Sequence, residues 1–467
     1  MSYPFTNRNG DATTSCWREY QARIQAEKRR RKRARAVARL MMLLAAAGLT
    51  AGGLFLAINV FALYDSDSAP YTTLAGGKEK REATQLDPLK DKERARSMID
   101  PRLLVNLREE GFAIDADGKH LWVQTTLDAG LQRYMLKKMD RVNSRFIGIV
   151  AADPATGKII LLSGFNKQDP GHDPCLDNQY PAASIFKIVT AAAAIEQCGL
   201  TPGSKMRFNG NAHTLYKRQL KDTDNKYTNH ISLKDSFARS VNPVFGKIGS
   251  LYLNKSLLEQ YAESFGFNQE IDFELELPPS HLSIADTTYN WAEIASGFNR
   301  STTLSPLHGV LMASAVVNKG EMVEPTVIES IQDATGKNVY RCAPRTMKKA
   351  ILPDTSQVLY DLMKATVRSG TARKTFRGYK RDRVLSKLTI GGKTGSIFNR
   401  KHDLRFDWFV GFAEEPDSGK KMAVAVVVAH EEYIGIRAGQ YARMAIKKYF
   451  QNYFSQNDEK SSRHQPG

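Results

Sequence analysis

The sequence predicts an α+β domain in which an antiparallel sheet is flanked by helices and carries an inserted, mostly helical part. Strand-like segments occur early, at Phe146–Ala152 and Lys158–Ser163. Similar segments occur late, at Trp408–Ala413 and Met422–Ala429, whereas residues 203–385 are mostly helix- and loop-forming sequence. Strands from the two termini of a domain can form one sheet beside a central helical part.

The other elements follow from local patterns. The two early strands are separated by Asp153–Gly157, whose proline and glycine favour a hairpin turn. Before them, Leu121–Thr126 is predicted as a strand and Leu127–Val142 as an amphipathic helix. Ser184–Cys198 is predicted as a helix that ends at Gly199, and its nearly uniform apolar surface predicts burial. The remaining predicted elements are the strand Leu388–Ile390 and the helix Arg437–Phe450.

The composition fits a globular protein with a strongly basic N-terminal segment. The chain has 467 residues, of which 42% are hydrophobic and 25% charged, so a sizeable core can form. The net charge is +18. Residues 1–39 hold eleven Lys or Arg and three Asp or Glu, which gives this tail a charge of +8. The rest of the chain is mildly basic.

An uncharged stretch follows the basic tail. Leu40–Tyr64 contains 25 residues and no charged side chain. As a helix it would reach about 37 Å, enough to cross a hydrocarbon core of about 30 Å. It is too long for the apolar part of a signal peptide, and its position argues against nucleic acid as the partner of the basic run Lys28–Arg35. Basic residues before it and Asp65 and Asp67 after it predict a cytoplasmic N-terminus.

These observations predict a single-pass protein of the cell inner membrane whose large domain lies on the periplasmic side. Residues 65–118 are rich in charge, with Pro70, Pro88 and Pro101 interrupting any regular structure. The predicted parts are a cytoplasmic tail (1–39), a transmembrane helix (40–64), a charged stalk (65–118), one folded domain (119–454) and a polar tail (455–467).

The cysteines allow one internal disulfide. Cys16 would be cytoplasmic and reduced, whereas Cys175, Cys198 and Cys342 would face an oxidising space in a Gram-negative cell. Cys198 would lie about 21 Å along the helix from Ser184, and nine extended residues from Cys175 reach about 30 Å. We therefore predict a Cys175–Cys198 bridge, with two unpaired thiols as the alternative. No HExxH motif and no zinc-ligand spacing occur, so no metal or other cofactor is expected.

Three short motifs carry the candidate chemistry: Ser184-Ile185-Phe186-Lys187, Ser240-Val241-Asn242 and Lys393-Thr394-Gly395-Ser396. On a helix, residues three apart share one face, which places Lys187 within reach of the Ser184 hydroxyl. A serine needs a base to become a good nucleophile, and a lysine can serve if burial or a nearby cation lowers its pKa. Lys393 is the candidate second cation. A helix start at Ser184 would also favour a developing oxyanion.

Residues from about His120 to Phe450 resemble the transpeptidase domain of penicillin-binding proteins, because the three motifs occur in that family's order. Five further stretches strengthen the resemblance, namely Val123–Asp128, Ala152–Gly157, Pro181–Ala183, Ser369–Ala372 and Asp407–Gly411. The resemblance implies the penicillin-binding transpeptidase fold. It also implies that Ser184 attacks the penultimate D-alanine of a peptidoglycan stem peptide, and that an amine of a neighbouring stem then forms the cross-link.

The resemblance further implies a role for each motif residue. Lys187 would be the general base, while Ser240 and Asn242 would relay a proton and hold the substrate amide. Lys393 and Thr394 would bind the terminal carboxylate, and Gly395 and Ser396 would make further contacts with the substrate. The backbone N–H groups of Ser184 and Ser396 would form the oxyanion hole. β-Lactams would act as inhibitors.

Two departures from the family are visible. Residues 65–118 are too few for a glycosyltransferase or pedestal domain, so a separate membrane glycosyltransferase is the expected partner. Where the family has Gly-x-Gly ahead of Thr-Pro-Leu, this chain has Ser296-Gly297-Phe298 and Ser305-Pro306-Leu307.

Three alternatives share the motifs. A D,D-carboxypeptidase or endopeptidase differs only in its acceptor. A β-lactam hydrolase or sensor would need a water-activating glutamate, and the nearest candidate segment, Glu274–Leu277, is predicted as an acidic strand. A non-catalytic scaffold of cell-wall synthesis is disfavoured by the intact motifs.

Overall fold

A computed structural model describes residues 88–116 and 118–463 of the chain. In chain order, its strands are β1 Gly111–Ala116, β2 Lys119–Thr125, β3 Ser144–Ala152, β4 Ile159–Asn166, β5 Lys205–Phe208, β6 Asn229–Ser232, β7 Glu321–Val323, β8 Ile328–Asp333, β9 Asn338–Arg341, β10 Thr346–Lys349, β11 Thr389–Phe398, β12 Arg405–Glu414 and β13 Lys421–His430.

The helices precede, separate and follow groups of these strands. In chain order, they are α1 Pro88–Met98, α2 Ala129–Lys138, α3 Lys187–Cys198, α4 Leu233–Ala238, α5 Asn242–Lys247, α6 Lys255–Ser264, α7 Thr288–Ser296, α8 Pro306–Val317, α9 Pro353–Arg368 and α10 Ala438–Arg463. None of the helices in the described ranges is long and apolar enough to cross a membrane. The predicted transmembrane helix Leu40–Tyr64 and the tail 1–39 lie outside those ranges.

The central sheet confirms the predicted α+β class. Its five strands lie in the order β11-β12-β13-β3-β4, and every neighbouring pair is antiparallel. The sheet therefore joins strands from both ends of the domain. Strands β5 to β10 also form within residues 203–385, where the sequence predicted mostly helices and loops.

A separate hydrophobic core covers each face of this sheet. Successive residues of β13 illustrate the arrangement, because Val427 belongs to the core that contains α3 and α8. Its neighbours Val426 and Val428 belong to the core that contains α10. Side chains alternate across a strand, so burial on both faces requires the nearly continuous apolar run Met422–Ala429.

The Lys393-Thr394-Gly395-Ser396 motif lies inside β11, whereas the sequence predicted a strand that ended at Ile390. Two glycines explain the difference. A Cβ atom on Gly391 would lie 2.4 Å from Cζ of Phe412, and one on Gly392 would lie 2.3 Å from Cζ of Phe409. The glycines leave room for these rings rather than forming a turn.

The described part of the predicted stalk 65–118 begins at residue 88, and it packs on the domain instead of forming a separate segment. Ala95, Ile99 and Leu104 are buried in the same core as the nucleophile helix α3. Strand β1 pairs with β2 along its whole length. At the other end, α10 continues to Arg463, beyond the predicted end at Phe450.

The predicted Cys175–Cys198 disulfide is wrong, since both thiols are free. The Sγ atom of Cys175 lies 3.7 Å from the carbonyl of Ile149 in β3, and that of Cys198 lies 3.7 Å from the carbonyl of Tyr252. The intervening chain is not extended as the prediction assumed. It turns after Cys175 and then forms a bridge between Pro181 and Thr303.

Candidate active site

The nucleophile candidate lies in a tight turn that leads into α3. Ser184 belongs to the 3₁₀ turn Ala183–Phe186, and Lys187 begins the α-helix. The predicted helix start is therefore a 3₁₀ turn, but the serine and lysine still share one face. Their side chains meet, with Lys187 Nζ 2.8 Å from Ser184 Oγ. Ala183 holds a left-handed φ of 48°, which strains a non-glycine residue directly before the nucleophile.

Lys187 is fully buried and surrounded by oxygen atoms. Its Nζ lies 2.8 Å from Asn242 Oδ1 and also bonds the carbonyl of Ser296. Burial lowers the pKa of this amine well below its usual range, and the nearby charge of Lys393 lowers it further. Both effects favour the neutral form of the Lys187 amine.

A neutral lysine amine has two hydrogens and one lone pair. The two hydrogens can be donated to Asn242 Oδ1 and the Ser296 carbonyl, which are acceptors only. The lone pair then faces Ser184 Oγ. The amide orientation of Asn242 supports this assignment, because its Nδ2 donates to the carbonyl of His213 at 3.1 Å. The geometry thus sets Lys187 to accept the proton of Ser184.

Lys393 is the second buried lysine of the site. It projects from β11, has no exposed surface, and its Nζ lies 2.9 Å from both Ser240 Oγ and the carbonyl of Thr394. Burial lowers the pKa of Lys393 to about 7. Ser240 has a left-handed φ of 58°, another strained non-glycine residue at the site.

Near β11 the site contains hydroxyl groups, and the backbone of β11 lies close to the nucleophile turn. Thr394 shares a hydrogen bond with Thr371 through their Oγ1 atoms. Ser396 Oγ accepts a hydrogen bond from Arg405 Nε at 2.9 Å. A Cβ atom on Gly395 would lie 3.3 Å from Cβ of Ala183, so the glycine lets β11 lie close to the nucleophile turn.

One cavity of about 480 Å³ gathers the predicted residues. The motif residues that line it are Ser184, Ser240, Asn242, Thr394, Gly395 and Ser396. Lys187 and Lys393 lie buried beneath it and reach Ser184 and Ser240. The structure therefore brings together all the predicted catalytic and substrate-binding residues.

Several contacts of the site were missing from the sequence prediction. The Ser296 carbonyl bonds Lys187, and Gly297 packs on the nucleophile turn. His213 orients Asn242 through its backbone. The sequence showed the departure at Ser296-Gly297-Phe298 and the stretch that includes Thr371. It did not show the backbone contacts, because contacts of this kind leave little signal in side-chain patterns.

The Ser-x-x-Lys spacing by itself does not identify the nucleophile. Ser418 also precedes a lysine by three residues, at Lys421. It lies in the turn between β12 and β13, and its hydroxyl bonds Glu415 instead of a lysine. Burial of the lysine and the converging second and third motifs distinguish Ser184.

A family model described as the penicillin binding protein transpeptidase domain matches residues 147–450. The chain belongs to this family. Among its relatives, stage V sporulation protein D of Bacillus subtilis is 26% identical over 335 residues, which cover 65% of this chain and 49% of that protein. The peptidoglycan D,D-transpeptidase PbpA of Mycolicibacterium smegmatis is 25% identical over 326 residues, which cover 60% of this chain and 61% of that protein. The chain thus spans about half to three fifths of these relatives.

Solved structures share the transpeptidase-family fold. The ceftriaxone acyl-enzyme complex of penicillin-binding protein A from M. tuberculosis has a TM-score of 0.57 and 21% identity, covering 70% of this chain and 79% of that chain. The D,D-transpeptidase domain of a peptidoglycan glycosyltransferase from Eggerthella lenta has a TM-score of 0.58 and 23% identity, covering 71% and 83%. These likenesses confirm the predicted fold.

Gly297 provides a test of how the nucleophile turn is held. It ends α7 with φ 65°, and a Cβ atom there would lie 1.9 Å from the carbonyl oxygen of Ala183. We expect Gly297→Ala to displace Ser184 and to slow acylation by penicillin by up to about 10²-fold, the loss that a 1 Å misplacement can cause. The measurement is the second-order rate of labelling by a fluorescent penicillin.

Gly199→Ala is the matched control. Gly199 ends α3 with φ 62°, but a Cβ atom there meets nothing within 4 Å. Both variants carry the backbone cost of an alanine in the left-handed region, about 1 kcal/mol. Equal labelling rates in the two variants would contradict the role given to the Gly297 contact.

Proposed function

We propose that this protein is a peptidoglycan D,D-transpeptidase that works through a covalent ester on Ser184. The observation that carries the proposal is the arrangement of Lys187, whose amine is buried beside Ser184 Oγ while Asn242 Oδ1 and the Ser296 carbonyl accept its hydrogens. An arrangement of this kind activates a hydroxyl group for attack on a carbonyl carbon. Membership of the transpeptidase family supports the same reaction.

In the first step, Ser184 Oγ attacks the carbonyl carbon of the penultimate D-alanine, and Lys187 accepts the hydroxyl proton. The backbone N–H groups of Ser184 and Ser396 stabilise the resulting oxyanion. The bond to the terminal D-alanine then breaks, and its nitrogen receives the proton that Lys187 took up, relayed through Ser240, which lies beside Lys393. Lys187 is thereby neutral again for the second step. The products are free D-alanine and an ester on Ser184.

Thr394 lines the cavity and holds the terminal carboxylate of the substrate, and the Lys393 amine buried beneath the cavity attracts that carboxylate by its charge. A carboxylate beside Lys393 favours the charged form of that amine, which burial alone disfavours. Substrate binding therefore raises the pKa of Lys393 from its free value of about 7. The added positive charge in turn keeps Lys187 neutral, so binding of the correct substrate supports activation of the nucleophile.

The ester is then released by an amine of a neighbouring stem peptide rather than by water. Among the described residues that line the cavity, only Asp407 carries a carboxylate. Its Oδ2 accepts the backbone N–H of Ala438 at 3.0 Å, so it caps the start of α10. No carboxylate among these lining residues is placed to activate water, which favours slow hydrolysis and a long-lived acyl-enzyme.

Glu274 does not supply the missing base of a β-lactam hydrolase. It lies in a loop rather than the predicted acidic strand, and it is almost fully buried away from the cavity. Burial raises the pKa of its carboxyl group, which Tyr340 contacts at 2.9 Å. A D,D-carboxypeptidase shares every residue of the site and remains the second candidate, distinguished by its acceptor.

Labelling by a fluorescent penicillin tests the covalent mechanism. A β-lactam mimics the D-alanyl-D-alanine end of the stem, so we expect wild type to form a stable adduct. Ser184→Ala should abolish labelling. Lys187→Ala should slow it by about 10²–10⁴, because it removes the base.

The Ser418→Ala variant is the control, since Ser418 has the same spacing to a lysine but lies outside the site. It should label like wild type. A folded wild-type protein that takes up no penicillin would contradict the proposed function and would favour the scaffold alternative. Labelling of Ser184→Ala would show that another residue is the nucleophile.

We further propose that the domain acts outside the inner membrane, anchored by residues 40–64, with a separate membrane glycosyltransferase as partner. The basic tail and the uncharged stretch after it support this topology. Protease added to spheroplasts should digest the large domain and leave residues 1–39 intact. Protection of a C-terminal tag would contradict the proposed orientation.

A further inference from the structure

A second cleft of about 640 Å³ adjoins the active-site cavity. The two share part of their lining, because His213 and Thr371 border both. The second cleft is therefore a neighbour of the cavity that contains Ser184. The mechanism described above assigns it no role.

The walls of this cleft are fixed by backbone contacts. One wall follows α4 and contains Arg239, and the other is the segment Ser369–Lys374. Where they meet, the N–H of Thr371 donates to the carbonyl of Ala238 at 3.0 Å. A Cβ atom on Gly370 would lie only 2.1 Å from that same oxygen, so the glycine permits the close approach. The cleft is built into the fold rather than formed by mobile side chains.

The chemistry of the cleft suits an anionic peptide. Its charged residues are Arg239, Arg373 and Lys374, all exposed, and no carboxylate is found among the described residues that line it. Phe208 and Ile231 add apolar surface. Cations beside an apolar surface can bind a peptide backbone that carries free carboxylates.

The position of the cleft relates it to one step of the reaction. Thr371 bonds Thr394, which in the proposed mechanism holds the carboxylate of the departing D-alanine. Attack by an acceptor amine on the ester is the reverse of that departure, so the amine approaches from the same side. The rest of the acceptor molecule must then extend away from Ser184 on the side where Thr371 borders the second cleft.

We propose that this second cleft, the acceptor cleft, binds the acceptor stem peptide and selects one that carries carboxylates beyond its reacting amine. The proposal rests on the proposed transpeptidase function and names the acceptor class for that site. In the step concerned, the amine nitrogen forms a bond to the ester carbonyl carbon and the bond from that carbon to Ser184 Oγ breaks. The proton lost by the amine returns to Ser184 Oγ through Lys187.

The test compares two acceptors on the full-length protein. A thioester donor forms the acyl-enzyme, and the ratio of aminolysis to hydrolysis is measured with two synthetic stem peptides that share one free side-chain amine. In one peptide the carboxylates outside the reacting residue are free, and in the other they are amidated. We expect wild type to give a higher ratio of aminolysis to hydrolysis with the peptide whose carboxylates are free. This preference should decrease at high salt, because screening weakens interactions between exposed charges.

In the Arg373→Ala/Lys374→Ala double variant, the preference for free carboxylates should fall by about three- to tenfold. This is the range expected for the loss of two exposed charge interactions. The Lys137→Ala/Lys349→Ala variant removes two exposed charges elsewhere and should keep it. Acylation by penicillin, which uses no acceptor, reports whether each variant is folded.

The possible outcomes separate the two proposals. No preference in wild type, or an equal preference in the two double variants, would overturn the acceptor cleft while leaving the acyl-enzyme mechanism intact. Failure of wild type to form any acyl-enzyme would instead overturn the proposed function on which the cleft depends. A selective loss in Arg373→Ala/Lys374→Ala supports the assignment.

Discussion

The burial of two lysines beneath one cavity is the constraint on which the rest of the site depends. Lys187 and Lys393 have no exposed surface, and burying a charged amine is costly unless the amine becomes neutral. Aromatic rings complete their surroundings, with Nζ of Lys187 5.5 Å from the centre of the Phe245 ring and Nζ of Lys393 at the same distance from Phe237. Burial thereby allows a lysine, which is usually a charged residue on the surface, to act as a base.

The surrounding structure is arranged to keep this geometry. Lys187 lies on the nucleophile helix and Lys393 on β11, two elements that come from distant parts of the chain. They approach because Gly395 and Gly297 leave no side chain between β11, α7 and the turn at Ala183. The left-handed backbone at Ala183 and Ser240 is strain that the packed core around it maintains. Stability and reactivity at this site are therefore coupled through backbone contacts.

The sequence predicted the features that depend on spacing or on long apolar runs. Ser184 and Lys187 were placed together because residues three apart share a helical face, and β13 was recognised from its apolar run. The extent of β11 was missed because glycines beside Lys393 resemble a turn until the rings that cover them are known.

Other features were missed for different physical reasons. The Ser296 carbonyl contacts Lys187 through the backbone, which no side-chain pattern records. The segment before β2 is rich in charged residues, so the sequence predicts a stalk there, although Ala95 inside α1 and Ile99 directly after it are four residues apart and both buried. The disulfide prediction failed because it assumed an extended chain between Cys175 and the nucleophile, where the structure turns.

A direct measurement of the Lys187 pKa tests the central claim. Carbon-13 labelling of lysine side chains at Cε reports amine ionisation by NMR, and the Lys187→Met and Lys393→Met variants assign the two buried signals. We predict that the Lys187 amine titrates well below the ordinary pKa of 10.5, and that Lys393→Met raises the Lys187 pKa because a neighbouring positive charge is lost. A Lys187 amine that remains charged up to pH 10 in the folded protein would contradict the account.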